Sequence, residues 1–170
     1  ENRLMLLLLT LVALASIFGV PYLIFVPLFA RDILHVQERG FGLLMASSGL
    51  GALIGAVTMA HLGAARHRGK FVVRSGAVFF TSIILFSFSR WFLLSAVLVG
   101  IVGCFMVLTI ANVNALLQHL STPEMRGRVM SIYTTSFLGF APLGSLLAGS
   151  LAGVIGAPYA LAAMSSVAMA

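Results

Sequence analysis

Residues 121–131 read Ser-Thr-Pro-Glu-Met-Arg-Gly-Arg-Val-Met-Ser and form a short polar stretch between two long apolar ones. The pattern predicts a helix start, since the serine or the threonine can cap the helix and Pro123 fits its first turn. Glu124 stands where the acid of a capping box reaches back to unpaired backbone N–H groups, and it precedes Arg128 by one turn, the favoured order for an ion pair. Because the following sequence is apolar to beyond Gly149, these residues predict a buried helix that starts at a membrane surface.

The composition of the chain is that of a membrane protein. Its 170 residues are 61% hydrophobic and 8% charged, whereas soluble domains have about 25% charged residues. The net charge of +6 could indicate nucleic-acid binding, but the basic residues are confined to gaps between apolar segments, which is typical of topology signals. We therefore expect the lipid bilayer as a partner and no nucleic acid.

Catalytic and metal-binding patterns are missing from the sequence. The single cysteine, Cys104, lies in an apolar segment, and His61 and His67 have no partners at ligand spacing. An intramembrane enzyme would need a convergent nucleophile, base or metal, and no acid is predicted at membrane depth. We expect no cofactor, no metal, no catalytic residue and no enzymatic activity.

Six apolar segments are predicted to form helices, since about 20 apolar residues are needed to cross the hydrocarbon core. Pro21 and Pro27 predict a kink near the far end of the first. The last is too short to cross, and the chain begins with Glu1 and ends inside an apolar run. We expect residues 1–170 to be one transmembrane domain cut from a longer protein, with its last helix truncated. The predicted helices cover about residues 4–28, 40–62, 71–88, 91–120, 128–154 and 157–170.

Glycines are frequent in the second and fifth predicted helices. Gly51 and Gly55 form a pair of small residues four apart, which lets another membrane helix approach closely. The fifth helix contains Gly139, Gly144 and Gly149. We interpret all five as helix-packing positions, in preference to substrate contacts.

The distribution of Lys and Arg predicts the orientation. A cytoplasmic amino end places seven basic residues inside and three outside, as the positive-inside rule requires, and the opposite topology inverts that bias. The residues predicted inside are Arg3, Arg66, Arg68, Lys70, Arg74, Arg126 and Arg128. Those predicted outside are Arg31, Arg39 and Arg90.

A weak internal repeat accompanies this topology. Arg39-Gly40 and Arg126-Gly127 each open a glycine-rich span, and the two spans enter from opposite faces of the membrane. This arrangement is expected for two three-helix units in inverted topology. The predicted fold class is an all-α membrane protein with six transmembrane helices.

Three blocks of sequence carry a family resemblance. They are Asn-x-Asn-Ala-Leu-Leu-Gln at 112–118, Pro-Glu-Met-Arg-Gly-Arg-Val-Met-Ser-Ile-Tyr at 123–133, and Gly-x-x-Pro-Leu-Gly-Ser-Leu-Leu-Ala-Gly at 139–149. In this order and spacing the chain resembles the carboxy-terminal half of major facilitator superfamily transporters. It is most similar to the exporter branch that includes the enterobactin exporter and drug efflux proteins.

The resemblance implies a fold, a function and a location. The chain would supply helices seven to twelve of a twelve-helix fold, and the missing amino-terminal six-helix half would be its partner. It would form half of a secondary active transporter in a bacterial inner membrane, exporting a drug-like or siderophore-like amphipathic small molecule by proton antiport with alternating access. The alternative is a non-transporting membrane scaffold whose small-residue helices pack a partner.

Two features depart from the family pattern. Residues 63–70 are similar to the family's cytoplasmic Gly-x-x-x-Asp-Arg-x-Gly-Arg loop, but His67 stands where the acid is expected. No acid is predicted at membrane depth, where proton-coupling carboxylates usually lie. The coupling acid of a proton antiporter is therefore expected in the missing half. The four acids of the chain are Glu1, Asp32, Glu38 and Glu124.

Substrate contacts are expected near the bilayer midplane between the two halves. On the family's pattern the first and fourth spans line the cavity, with the second and fifth beside them. Asn112 is the preferred position because a buried amide is costly, although a helix-packing hydrogen bond is an equal alternative. It belongs to a polar group with Asn114, Gln118 and His119 at the end of the fourth span. The candidates are Asn112, Tyr22, Ser16 and Thr109, followed by Tyr133, Thr135 and Ser136.

The basic loops carry a separate hypothesis. Contacts between them would differ between the inward-open and inward-closed states, and so bias the conformational equilibrium. The open alternative is that they only set topology and meet anionic lipid head groups. The residues concerned are Arg126, Arg128 and Glu124 on one loop and Arg66, Arg68 and Lys70 on the other.

Overall fold

A computed structural model of the chain describes residues 2–62 and 68–169, and within these ranges it contains helices and no strand. This arrangement confirms the predicted all-α membrane class. The helices are α1 (Asn2–Phe18), α2 (Tyr22–Asp32), α3 (Glu38–Leu62), α4 (Arg68–Phe88), α5 (Phe92–Leu120), α6 (Pro123–Ile155) and α7 (Ala157–Met169).

Five helical segments of the described chain are long and apolar enough to cross a membrane. The first of them, Met5–Asp32, combines α1 and α2, and the other four correspond to α3, α4, α5 and α6. With 13 residues, α7 is about 20 Å long, which is shorter than the hydrocarbon core of about 30 Å.

The sequence predicts one helix for residues 4–28, but the structure divides this first span into two helices. The α1 helix ends at Phe18, residues 19–21 form a turn, and α2 continues to Asp32 with Pro27 inside it. The backbone N–H groups of Gly19 and Val20 both donate to the Ala15 carbonyl oxygen, at 2.8 and 3.3 Å. Pro21 has no N–H to continue this ladder, so the chain breaks here rather than bending smoothly.

The start of α6 follows the sequence prediction in part. Thr122 precedes the helix in an extended conformation and Pro123 occupies its first turn. The Thr122 side chain makes no capping bond to the backbone, and the Thr122 carbonyl oxygen accepts from the N–H groups of Met125 and Arg126 at 3.0 Å each. Because the helix begins after Thr122, Glu124 lies one position too early for a capping box.

Glu124 therefore has partners other than the predicted ones. Its carboxylate lies beside the Thr122 hydroxyl and its own backbone N–H. Neither it nor Arg128 takes part in an ion pair in the described chain, where the salt bridge that we find joins Arg31 to Asp32 at 3.1 Å.

The bundle is built from a few close helix pairs. The α3 helix packs on α5, α1 packs on α6, and α4 lies between α5 and α7. The larger of the two hydrophobic core clusters of the bundle includes the stacked rings of Phe29 and Phe86, whose centroids are 4.8 Å apart. A smaller cluster joins α1, α4, α5 and α6 and consists of Leu8, Val12, Val72, Val113, Leu117, Val129 and Tyr133. The outer faces of α3 and α6 leave large apolar side chains exposed, as expected for surfaces that meet lipid or another part of the protein.

Candidate substrate-binding wall

An open groove of about 570 Å³ runs along one face of α5. Its residues recur at intervals of three and four, so their side chains lie on the same side of the helix. They are half-buried except for Gln118, which is exposed. The lining residues are Met106, Val107, Ile110, Ala111, Asn114, Ala115 and Gln118.

The groove has a polar end formed by Asn114 and Gln118 of α5. Tyr133 of α6 lies beside Asn114 but lines a different cavity, and we call these three residues the amide cluster. The Gln118 Nε2 group donates to Asn114 Oδ1 at 2.5 Å. The Tyr133 hydroxyl lies close to the Asn114 side chain. Two amides and a hydroxyl offer both donors and acceptors without a formal charge.

The position of Tyr133 is fixed by its surroundings. The residue is 7% exposed. Its ring lies nearly parallel to that of Phe137, with an interplanar angle of 6° and centroids 6.5 Å apart. The hydroxyl is thereby held at the α5–α6 contact, where it meets Asn114.

Polarity changes along the groove. Between Met106 and Ala111 the lining is apolar, and the amide cluster follows one turn later. At 1.5 Å per residue, Met106 and Asn114 are separated by about 12 Å along the axis. The described lining contains no Asp, Glu, Lys, Arg or His. This surface can bind an apolar body and an uncharged polar group side by side.

Asn112, the preferred position from the sequence, does not line this groove. It is 5% exposed, and its Nδ2 group donates to the Leu108 carbonyl oxygen on the preceding turn at 2.7 Å. The buried amide of Asn112 therefore has a partner within its own helix, and its contact with substrate stays a prediction. Two residues correspond to about 200° around a helix, so Asn112 and Asn114 face different neighbours.

Ser16 and Tyr22 lie in contacts between helices. Both are almost fully buried. The Ser16 hydroxyl donates to the Phe137 carbonyl oxygen on α6. The Tyr22 hydroxyl is 3.4 Å from Ser48 Oγ on α3, and its ring meets the edge of Phe79. In this structure both residues connect helices, and their contact with substrate stays a prediction.

Thr109 lines a second, smaller cavity of about 190 Å³ between α1, α4, α5, α6 and α7. Its hydroxyl is 2.7 Å from the Phe105 carbonyl oxygen and 3.0 Å from Ser75 Oγ on α4. The rest of the lining is almost entirely apolar. The four predicted substrate residues therefore share none of the cavities described above, and of the four Thr109 lies at the wall of one of them.

The two basic loops are described unequally. Arg126 and Arg128 are exposed on the first turns of α6, and Lys70 is exposed at the start of α4. The Arg68 side chain and the whole of Arg66 lie outside the described residues. A contact between these loops therefore stays a prediction.

Two of the predicted packing glycines bring α3 against α5. A Cβ atom at Gly51 would overlap the carbonyl oxygen of Gly100, and one at Gly55 would lie 2.5 Å from that of Cys104. The helix backbones are thus in direct contact, as small residues permit in membrane proteins.

The glycines of α6 differ among themselves. A Cβ atom at Gly144 would collide with the Ile17 carbonyl group of α1. The same atom at Gly139 or Gly149 would meet nothing within 4 Å in the described chain, so a packing role for these two stays a prediction.

Sequence reasoning missed Asn114 and Gln118 as cavity residues, although it placed them in a polar group. A usable signal is their spacing of four, which puts both amides on the face that carries Ile110 and Ala111. Within the described ranges, no group of three His, Cys, Asp or Glu residues lies close enough together to hold a metal ion.

Comparison with known proteins identifies a family. A family model described as transmembrane secretion effector covers residues 4–170 of the chain. The chain matches no curated protein and no solved structure.

Proposed function

Because the chain belongs to the transmembrane secretion effector family of major facilitator-type transporters, we propose that it forms one half of an exporter of amphipathic small molecules. A transporter, rather than an enzyme, is what the family membership indicates. Substrate type, direction and mechanism are the proposed part.

The observation that carries the proposal is the α5 groove. It joins an apolar wall, which begins about 12 Å from Asn114 along the helix axis, to an uncharged amide cluster, and this combination is the complement of an amphipathic molecule. In transporters of this build, substrate sites lie between two halves that rock around them. An amino-terminal half facing α5 would close the groove and make it a cavity.

We propose that a proton gradient drives export, through antiport of protons against substrate. The described acids Asp32, Glu38 and Glu124 lie at helix ends rather than in the middle of a span. We therefore place the coupling carboxylate in the amino-terminal half, because proton relays in transporters use ionisable groups inside the membrane. The amino end of this segment is proposed to be cytoplasmic, in a bacterial-type inner membrane, as the distribution of Lys and Arg favours.

Arg126 and Arg128 are proposed to bias the transport cycle from the cytoplasmic surface. Both side chains are exposed, and an exposed ion pair contributes only about 0–1 kcal/mol. Such a contact shifts a balanced equilibrium between inward-open and inward-closed states without being needed for the fold.

Reconstitution of the full-length protein in liposomes tests the proposal. A pH gradient would be imposed, and the flux of a neutral, a cationic and an anionic amphipathic dye (Nile red, rhodamine 6G and anilinonaphthalene sulfonate) would be followed. We expect flux of at least one dye that stops when a protonophore collapses the gradient.

Two controls make the result decisive. Protein-free liposomes report passive leakage of each dye, and a sodium gradient at constant pH tests the coupling ion. Flux that ignores the pH gradient contradicts proton antiport. A correctly inserted protein that moves none of the dyes contradicts export of amphipathic molecules and favours the scaffold alternative.

A further inference from the structure

We infer that the amide cluster binds an uncharged polar group of the transported molecule, while the apolar part of that molecule lies along α5 toward Met106. This inference rests on the proposed function, and it assigns the substrate class and the residues that select it. The polar group would be an amide, a hydroxyl or a similar neutral donor and acceptor.

The charge of the groove is the first argument. Its described lining has no Asp, Glu, Lys, Arg or His, and the residue joined to it from α6 is a tyrosine. A carboxylate or ammonium group placed there would lose water without gaining a counter-ion on this wall, which is costly. A neutral amide or hydroxyl would exchange its water for hydrogen bonds with Asn114 and Gln118.

The second argument is that the cluster is already organised. Gln118 holds the Asn114 amide, and Tyr133 is buried and stacked beside Phe137. A ligand therefore does not have to order these side chains on binding, and preorganisation of this kind improves affinity.

The order of the residues along α5 gives the orientation. The apolar lining lies toward the middle of the helix, and the amide cluster lies within two turns of its end at Leu120. With the proposed topology, the polar group would face the cytoplasmic mouth and about 12 Å of apolar structure would extend toward the bilayer midplane. A phospholipid fits less well, because its phosphate would bring a charge to an uncharged cluster.

A matched set of ligands tests the inference. Binding of radiolabelled decanamide, decanoate and decyltrimethylammonium would be measured on the full-length protein in nanodiscs, with empty nanodiscs subtracted. The three probes share a ten-carbon skeleton and differ in the charge of the polar group. We expect decanamide to bind at least about fivefold more tightly than either charged probe, the effect of one net hydrogen bond.

Variants locate the binding. Asn114→Leu and Gln118→Leu should each weaken decanamide binding about fivefold and leave decyltrimethylammonium binding unchanged. Tyr133→Phe removes only a hydroxyl and provides a second route if a leucine variant fails to fold. Gln37→Leu is the control, since it removes the same amide from the α2–α3 connection, away from the groove.

The outcomes separate the two proposals. Equal or tighter binding of a charged probe, or decanamide binding that none of the three cluster variants weakens, overturns the inference. Because binding is measured without a gradient, selective binding without flux contradicts the proposed export and leaves the site intact. Flux that prefers a charged dye and is insensitive to the variants supports the proposed export and contradicts the proposed binding site. If the groove is occupied by phospholipid and shows no specific binding of decanamide, the groove is a lipid site and the inference is also overturned.

Discussion

The Ser16 hydroxyl of α1 donates a hydrogen bond to the Phe137 carbonyl oxygen of α6, at 2.5 Å. Gly144 meets the Ile17 carbonyl group in the same interface. The contact lies next to two irregular points, the chain break at residues 19–21 and Pro142 inside α6. The hydrogen bond and the close approach at Gly144 therefore join α1 to α6 beside these two points.

Ser16→Ala should destabilise the bundle modestly. Hydrogen bonds between membrane helices contribute about 0.6 kcal/mol on average and about 1.7 at most. Thermal unfolding of the full-length protein in detergent would measure the effect. Thr10→Ala is the matched control, because the exposed Thr10 hydroxyl bonds only to Leu6 of its own helix. Equal losses in the two variants would show that the Ser16 bond adds nothing specific.

Gly51→Ala should lower the unfolding temperature, whereas Gly49→Ala should leave it unchanged or raise it. An added methyl at Gly51 meets the Gly100 carbonyl oxygen, and overpacking of this kind costs about 1–3 kcal/mol. Gly49 lies on the same helix with no atom within 4 Å of the added methyl, and alanine favours a helix by about 1 kcal/mol. If both variants respond alike, the close α3–α5 contact is contradicted.

The proposed topology predicts which side of the membrane two exposed positions occupy. In a Cys104→Ser background, Gln37→Cys should react with an impermeant maleimide applied outside intact cells, and Met125→Cys should not. Permeabilised cells should label both, which controls for reactivity. The opposite pattern would place the amino end of α1 outside.

Arg126→Ala should change the ratio of inward-open to inward-closed protein by up to about fivefold, since an exposed contact is worth about 1 kcal/mol or less. Cysteine accessibility at the cytoplasmic mouth of the full-length transporter would report this ratio. Arg90→Ala, at the predicted outer surface, should leave it unaltered. Normal transport and labelling in Arg126→Ala, with normal expression, would contradict the gating hypothesis.

The positions of the spans could be predicted from the sequence because they depend on the length of apolar segments and on residues that favour the first turn of a helix, such as Pro123. Other features depend on neighbours that the sequence does not reveal. One such feature is the end of α1 at Phe18, which lies beside the contact of Ser16 with α6. The choice between Asn112 and Asn114 depends on which face of α5 points into the bundle. Since α5 is apolar on nearly all sides, hydrophobic periodicity does not give that face.

The absence of side chains at Gly51 and Gly100 also determines how motion is shared within the bundle. With backbone resting on backbone, sliding of α3 along α5 would drive neighbouring side chains into the space that the glycines leave open. We therefore expect α3 and α5 to move together when the transporter changes state. A spectroscopic label on the outer face of α3, at the exposed Leu50 for example, should then report the displacement of the α5 groove without touching it.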